Sequence, residues 1–120
     1  MEFINLCPHD IVIYDKDEKT ILETIPSIGY ARVIEEQGSP LISFGSIQIV
    51  SPPKYMGLDF HPTKLTKKNV IVSAIFAKEA VKVQYHHLIK FFSPDTGPNG
   101  VVRNEKGEII GTKQLIYWGE

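Results

Sequence analysis

The stretch Val70-Ile71-Val72-Ser73-Ala74-Ile75-Phe76-Ala77-Lys78-Glu79-Ala80-Val81-Lys82-Val83 decides the fold class. Its first three residues are apolar and β-branched, as a buried strand requires. Ser73 then offers a hydroxyl that can accept a free N–H from the first turn of a helix. Beyond it the apolar spacing becomes helical. Val72, Ile75, Phe76, Ala80 and Val83 share one face, and Lys78, Glu79 and Lys82 take the other. The spacing predicts one short helix over residues 73–83, entered directly from a strand.

Outward from this stretch, short β-type runs alternate with turn residues. Ile11–Tyr14 and Thr20–Glu23 flank the charged tip Asp15–Lys19 and read as a hairpin. Tyr30 to Ile34, Ser46 to Val50 and Leu88 to Phe92 read as further strands. Val101–Asn104 and Glu108–Ile110 form a second hairpin across Glu105-Lys106-Gly107, where Gly107 suits a left-handed turn position. Lys113 to Trp118 is the last strand. Residues 51–68 hold Pro52, Pro53, Gly57 and Pro62, show no period and read as a long surface loop. The sum is a single α+β domain over residues 1–120, a strand-rich curled sheet or partial β-barrel with one short helix packed on it.

Thirteen basic and 14 acidic residues leave a net charge of −1, which argues against extended nucleic acid or an anionic membrane surface as partner. One cysteine, Cys7, excludes an internal disulfide and a Cys-rich zinc site. No apolar run approaches a membrane span, and Met1–Asn5 has no basic leader, so a cytoplasmic location is expected. His9, His61, His86 and His87 lack metal-ligand spacing. On a strand, His86 and His87 would point to opposite faces. Neither metal nor cofactor is expected. Walker, G-x-G-x-x-G and G-x-S-x-G patterns are missing from the sequence, which lowers the expectation of an enzyme.

The residues that can recognise a ligand gather in two places. In Asp95-Thr96-Gly97, Asp and Thr can bond nearby backbone N–H groups, and Gly97 can take a positive φ. Such a turn can present N–H groups to an anion, or a carboxylate to ribose hydroxyls. Arg103 follows, with the planar fork best suited to phosphate. Near the start, Pro8 restricts the backbone before His9, whose two ring nitrogens can fix main chain or touch a ligand. Cys7 is expected to fill buried space. Phe91 and Phe92 point opposite ways on a strand, so one should face outward, to pack on a neighbour or stack a base. The apolar run Leu115-Ile116-Tyr117-Trp118 predicts association with further copies, that is, a homo-oligomer.

Asn5-Leu6-Cys7-Pro8-His9 resembles an N-L-T-P-H opening, with Cys7 where that opening has Thr. Pro94-Asp95-Thr96-Gly97-Pro98, followed by Val102-Arg103 and Gly107-Glu108-Ile109-Ile110-Gly111, resembles a PDTGP…VR-x-x-x-G-x-I-x-G ending. Ile71-Val72-Ser73 matches an intervening element. Together these resemble a family of small proteins from tailed phages and prophages, over residues 4 to 116. The resemblance implies a phage setting, in the cytoplasm of an infected or lysogenic bacterial host. It brings no reaction with it. By analogy with small phage proteins that sequester nucleotide immune signals, of the cyclic ADP-ribose or cyclic oligonucleotide type, a non-catalytic binding protein is expected. Its small anionic nucleotide would be held by Arg103, Asp95, Thr96, Gly97, His9 and Asn5. The alternative is a protein–protein interaction module, as a phage accessory or an inhibitor of a host protein.

Overall fold

The computed structural model describes residues 2–52, 54–59 and 62–119. In chain order the strands are β1 (Phe3–Asn5), β2 (Ile11–Tyr14), β3 (Ile21–Ile25), β4 (Arg32–Glu36), β5 (Pro40–Phe44), β6 (Ile47–Val50), β7 (Lys54–Asp59) and β8 (Asn69–Ile71). The helix α1 (Ala74–Lys82) follows, then β9 (Lys90–Pro94), β10 (Val101–Arg103), β11 (Ile109–Thr112) and β12 (Leu115–Tyr117). The chain is strand-rich α+β, as the sequence predicts; among the described residues there is one α-helix, and the sheets do not close into a barrel.

The deciding stretch forms the strand, cap and helix as read, but the buried face is a correction: Ile75 and Val83 are each 56% exposed, and Ala77 is buried beside Phe76 and Ala80 instead. Ser73 is extended at φ −65°, ψ 155°, and its hydroxyl accepts the Phe76 N–H at 3.2 Å, capping α1. The strand before the helix and the strand after it run parallel: β1, β8 and β9 are in parallel register, and β12 adds antiparallel to β9. This is a β–α–β crossover, the connection that parallel neighbours need. Phe76, Ala77 and Ala80 of α1 pack on Val70, Val72, Ile89 and Phe91. The opposite face of the same sheet carries Ile71, which packs with Cys7, Ile11 and Ile25 beside Phe3 and Phe92. Those residues bring in the second sheet, ordered β10-β11-β2-β3. The molecule is therefore three-layered, with α1, the β1-β8-β9-β12 sheet and the β10-β11-β2-β3 sheet stacked in that order. Because the sheet is covered on both sides here, Val70-Ile71-Val72 reads as a continuous apolar run rather than an alternating one.

Both predicted hairpins are present. β2 and β3 are antiparallel, and β10 and β11 are antiparallel with Gly107 at φ 82° in their turn. The expected loop at 51–68 is a correction. Lys54–Asp59 forms β7, which pairs antiparallel with β4, and Pro62–Leu65 forms a 3-10 turn. Flanking prolines and Gly57 mask the strand's propensity, and pairing with β4 overrides it. Between β4 and β7 the chain runs out as β5, turns at Gly45-Ser46 and returns as β6. These four strands make one long ribbon. Its base meets α1, and its tip projects. The radius of gyration is 17.0 Å, against about 14 Å for a compact chain of this length.

For His86 and His87 the strand condition does not apply. They lie on a 3-10 turn, Tyr85–His87, with ring centroids 4.2 Å apart, rather than on opposite faces of a strand. Gln84, at φ 63°, ends the helical run and turns the chain before β9 begins. Phe92 does not face solvent alone: Phe3 stands edge-on to it at 5.2 Å and Tyr117 lies 5.2 Å away on the outer side. Phe91 is buried against Phe76. His61 lies outside the described residues.

The cap gives a direct check on the helix. Ser73→Ala should lower the unfolding free energy by about 1 kcal/mol. Urea titration should show a lower midpoint with an unchanged slope. An unchanged midpoint would mean that the hydroxyl has no role in starting α1.

Candidate functional site

The turn from Pro94 to Gly100 is built by Asp95. Its Oδ1 accepts the Gly97 N–H at 3.0 Å, and its Oδ2 accepts the Gln114 side-chain N–H at 2.7 Å. The bond from Gln114 first, and that from Gly97 second, hold the Asp95 carboxyl below the usual carboxylate range. The turn then folds back so closely that a Cβ on Gly100 would lie 2.5 Å from the Asp95 Cγ and carbonyl oxygen. Only glycine fits there. Beneath it, the buried Thr112 hydroxyl faces the carbonyls of Asp95, Gln114 and Gly100 at 2.7, 2.8 and 3.1 Å. It has one proton and donates to one of them at a time. Gly97, expected at positive φ, is not in that region, since the Asx turn formed by Asp95 already sets the chain direction.

At the other end of the chain, Asn5 organises the opening motif. It is 1% exposed. Its Nδ2 donates to the His9 carbonyl at 3.1 Å and to the Ile25 carbonyl at 2.9 Å, and its Oδ1 accepts the Cys7 N–H at 2.9 Å. The segment after β1 is thereby drawn over the end of β3. Asp10 Oδ1 accepts the Ser27 N–H at 2.9 Å and ties the same segment to the following loop. Cys7 is buried among Ile11, Ile25 and Ile71, and burial pushes its thiol up to about 11, so it is protonated near neutrality.

These two constructions face each other across a cleft of about 210 Å³. His9, Asp10, Ile11 and Val12 form one wall, Pro94 and Thr96 stand opposite, and Ile109–Thr112 complete it. Gly111 makes the close floor: a Cβ there would meet the Val12 carbonyl oxygen at 2.6 Å. The side chains of His9, Asp10 and Thr96 are all exposed at this cleft.

The predicted set divides accordingly. His9 and Thr96 come together although they lie far apart in sequence. Asp95 and Gly97 shape the turn and do not line the cleft. Asn5 does not line the cleft, and its side chain is buried and engaged with main chain. Arg103 does not line it either. It is exposed, and its Nη1 donates to the Gly107 carbonyl at 2.7 Å, closing the tip of its own hairpin. A bulge between Val102 and Arg103 sets Arg103 opposite Ile109 and directs the fork to that tip. Asp10 is the residue that sequence reasoning missed. Its place beside His9, after the restricted Pro8, was the available cue.

Comparison with protein-family models, with curated proteins and with solved structures finds no match.

The Asp95 clasp has a pH signature. Because its pKa is lower in the folded chain than the ordinary value of 3.8, its stabilising contribution is present above that value and lost as pH falls through the folded one. Asp95→Asn keeps the turn's acceptor oxygen but removes the titration. Melting midpoints between pH 5 and pH 2.5 should fall less steeply in Asp95→Asn than in the unaltered chain. Parallel curves would show that the carboxylate is not used.

Proposed function

We propose that this protein is a non-catalytic binding protein that sequesters a small nucleotide-type ligand, with the sugar–phosphate portion seated between His9, Asp10 and Thr96. The observation that carries the reading is the convergence of these three exposed polar side chains on a cleft whose other lining residues are mostly apolar. Few, well-placed polar groups on an apolar wall are the usual make-up of a small-molecule site. Asp10 keeps Oδ2 for ribose hydroxyls while Oδ1 holds the Ser27 N–H. A ring N–H of His9 donates to one phosphate oxygen, and the Thr96 hydroxyl donates to a second. Ile109 and Ile110 supply apolar surface for the base at the mouth. At about 210 Å³ the cleft holds one sugar–phosphate unit and leaves the rest of the ligand outside. The phage setting implied by the resemblance agrees with a signal-sequestering role.

Arg103 has no part in this reading, because its fork is turned to Gly107. An interaction module directed at a foreign protein is the second reading, favoured by the apolar tip of the ribbon.

Calorimetric titration with ADP-ribose, a cyclic ADP-ribose and cyclic dinucleotides tests the proposal. One of them should bind the unaltered chain and be recovered chemically intact after heat release. His9→Ala and Asp10→Ala should each weaken it by roughly 10- to 150-fold, the worth of one charge-assisted hydrogen bond. Arg103→Ala should leave affinity unchanged. Absence of binding by every probe, or full affinity in both cleft variants, would move the function to the second reading.

A further inference from the structure

A second recess, of about 350 Å³, shares no residue with the His9 cleft. The parallel ladder builds one side of it. The Lys67 N–H donates to the Leu88 carbonyl at 2.8 Å, and the Lys90 N–H donates to the Lys68 carbonyl at 3.0 Å. These bonds carry the β8–β9 ladder back beyond the first residue of β8 and bring Lys67 and Lys90 to one rim. The 3-10 turn Tyr85–His87 builds the other side. The Leu88 and Ile89 N–H groups both donate to the Tyr85 carbonyl, at 2.9 and 3.0 Å, and the curled chain sets His86 and His87 side by side at the recess. Among the described residues three non-glycine residues have a left-handed backbone, and two of them stand at these constructions: Lys67 at φ 64° and Gln84 at φ 63°. Backbone held in that region is over-determined by its surroundings, and it gathers at functional sites.

The lining is built of nitrogen donors. Lys67, Lys90, His86 and His87 contribute side chains, and no described carboxylate lines the recess. The surrounding chain is short of acids too. Between Asp59 and Asp95 it has six lysines and one acid, Glu79, which is paired with Lys82 at 2.9 Å. In a protein of net charge −1 this segregation leaves one region attractive to anions. Lysines on an open surface are satisfied by water, but these line a concavity, whose low-dielectric walls concentrate the field. His86 adds an independent sign. Its Nδ1 is, among the described residues, the one buried side-chain nitrogen or oxygen without a hydrogen-bond partner, and such an atom calls for an explanation. A buried N–H without an acceptor is tolerated less well than an unused lone pair, so the ring proton belongs on Nε2. His86 thereby offers an Nε2 donor at the recess that it lines. A phosphate group, all acceptor, suits two ammonium groups and two ring N–H donors. The volume lies at the low end of the roughly 300–1,000 Å³ of small-molecule sites. It admits a phosphate or pyrophosphate with a small organic remainder, for which Leu88 and Tyr117, each about half exposed, supply apolar surface. A nucleic-acid backbone needs a row of cations along a track, whereas these surround one recess.

We infer that the recess between Lys67, His86, His87 and Lys90 is a second anion site, which takes the phosphate or pyrophosphate group of a small phosphorylated molecule. It is independent of the His9 cleft, and pyrophosphate is the probe that tests it. In an NMR titration of the labelled full chain at constant ionic strength, the His86 and His87 ring signals and the Lys67 and Lys90 amides should shift together and saturate. Acetate at the same ionic strength should not produce that saturation. The double variant Lys67→Gln/Lys90→Gln, both exposed positions, should keep the amide spectrum of the fold and bind at least about tenfold more weakly, the worth of one charge-assisted hydrogen bond. Lys106→Gln, in the β10–β11 turn, should bind as the unaltered chain does. His9→Ala should also leave these shifts unchanged, which separates the recess from the cleft. No saturable shift, full affinity in the double variant, or loss of the shifts in His9→Ala overturns the inference. So does a short single-stranded oligonucleotide that binds these residues more tightly than pyrophosphate, since the cations would then serve a nucleic-acid backbone.

Discussion

The side-chain amide of Asn5 gives both of its protons to main-chain carbonyls, of His9 and Ile25, and accepts the Cys7 N–H on its oxygen. Through these bonds the end of β1, in the central sheet, is fastened to the end of β3, in the outer one. The two sheets also meet through apolar contacts among Cys7, Ile11, Ile25 and Ile71, which have no direction of their own. The carboxamide supplies the direction. Leaving one buried polar group unpaired costs about 1–3 kcal/mol, so partial versions of this clasp are disfavoured and the arrangement is nearly all-or-none. The same constraint sets where the His9 carbonyl, and with it the His9–Asp10 wall of the cleft, must lie.

The opposite wall depends on a second polar knot, Asp95 with Gln114 and Thr112, which is tied within the β9-to-β12 part of the chain. Two rigid polar constructions facing each other across an apolar floor give a preorganised recess, and a preorganised recess saves a ligand the cost of ordering loops. The ribbon is built on the opposite principle. Its base is held on α1, but its tip has no polar knot beyond Ser39 and Ser51 and no core of its own. The cleft and the arm are therefore two differently built parts of one chain.

The fold was legible where local chemistry and tertiary demand agree. Val70–Val83 announced strand, cap and helix because most residues there suit their place in both respects, although Ile75 and Val83 stay exposed and Ala77 takes the buried position. The two hairpins with polar tips were legible for the same reason. Lys54–Asp59 was not, since prolines and Gly57 speak locally for a loop and only pairing with β4 makes a strand. The site was legible as motifs but not as roles. The opening around His9 and the turn at Asp95 do converge, yet Asn5, Asp95 and Gly97 serve the backbone and Arg103 serves its own hairpin. A side chain able to bind phosphate is equally able to bind a nearby carbonyl, and sequence spacing does not distinguish the two. The terminal run Leu115–Trp118 drew attention as an apolar surface, but Trp118 packs on the core and donates to Ser93, and the larger uncovered face lies on the ribbon.

The dependence of the cleft on Asn5 can be read from its own protons. In an NMR spectrum of the ¹⁵N-labelled chain, the two Nδ2 protons of Asn5 should exchange with solvent far more slowly than those of an exposed asparagine such as Asn99 or Asn104. Saturating the cleft is not required, and the measurement touches no other residue. Slow exchange at both protons, with two well-separated shifts, is the result this account predicts. Exchange as fast as that of Asn99 would contradict it, because the clasp would then be open to water and the His9 wall would have nothing to hold it.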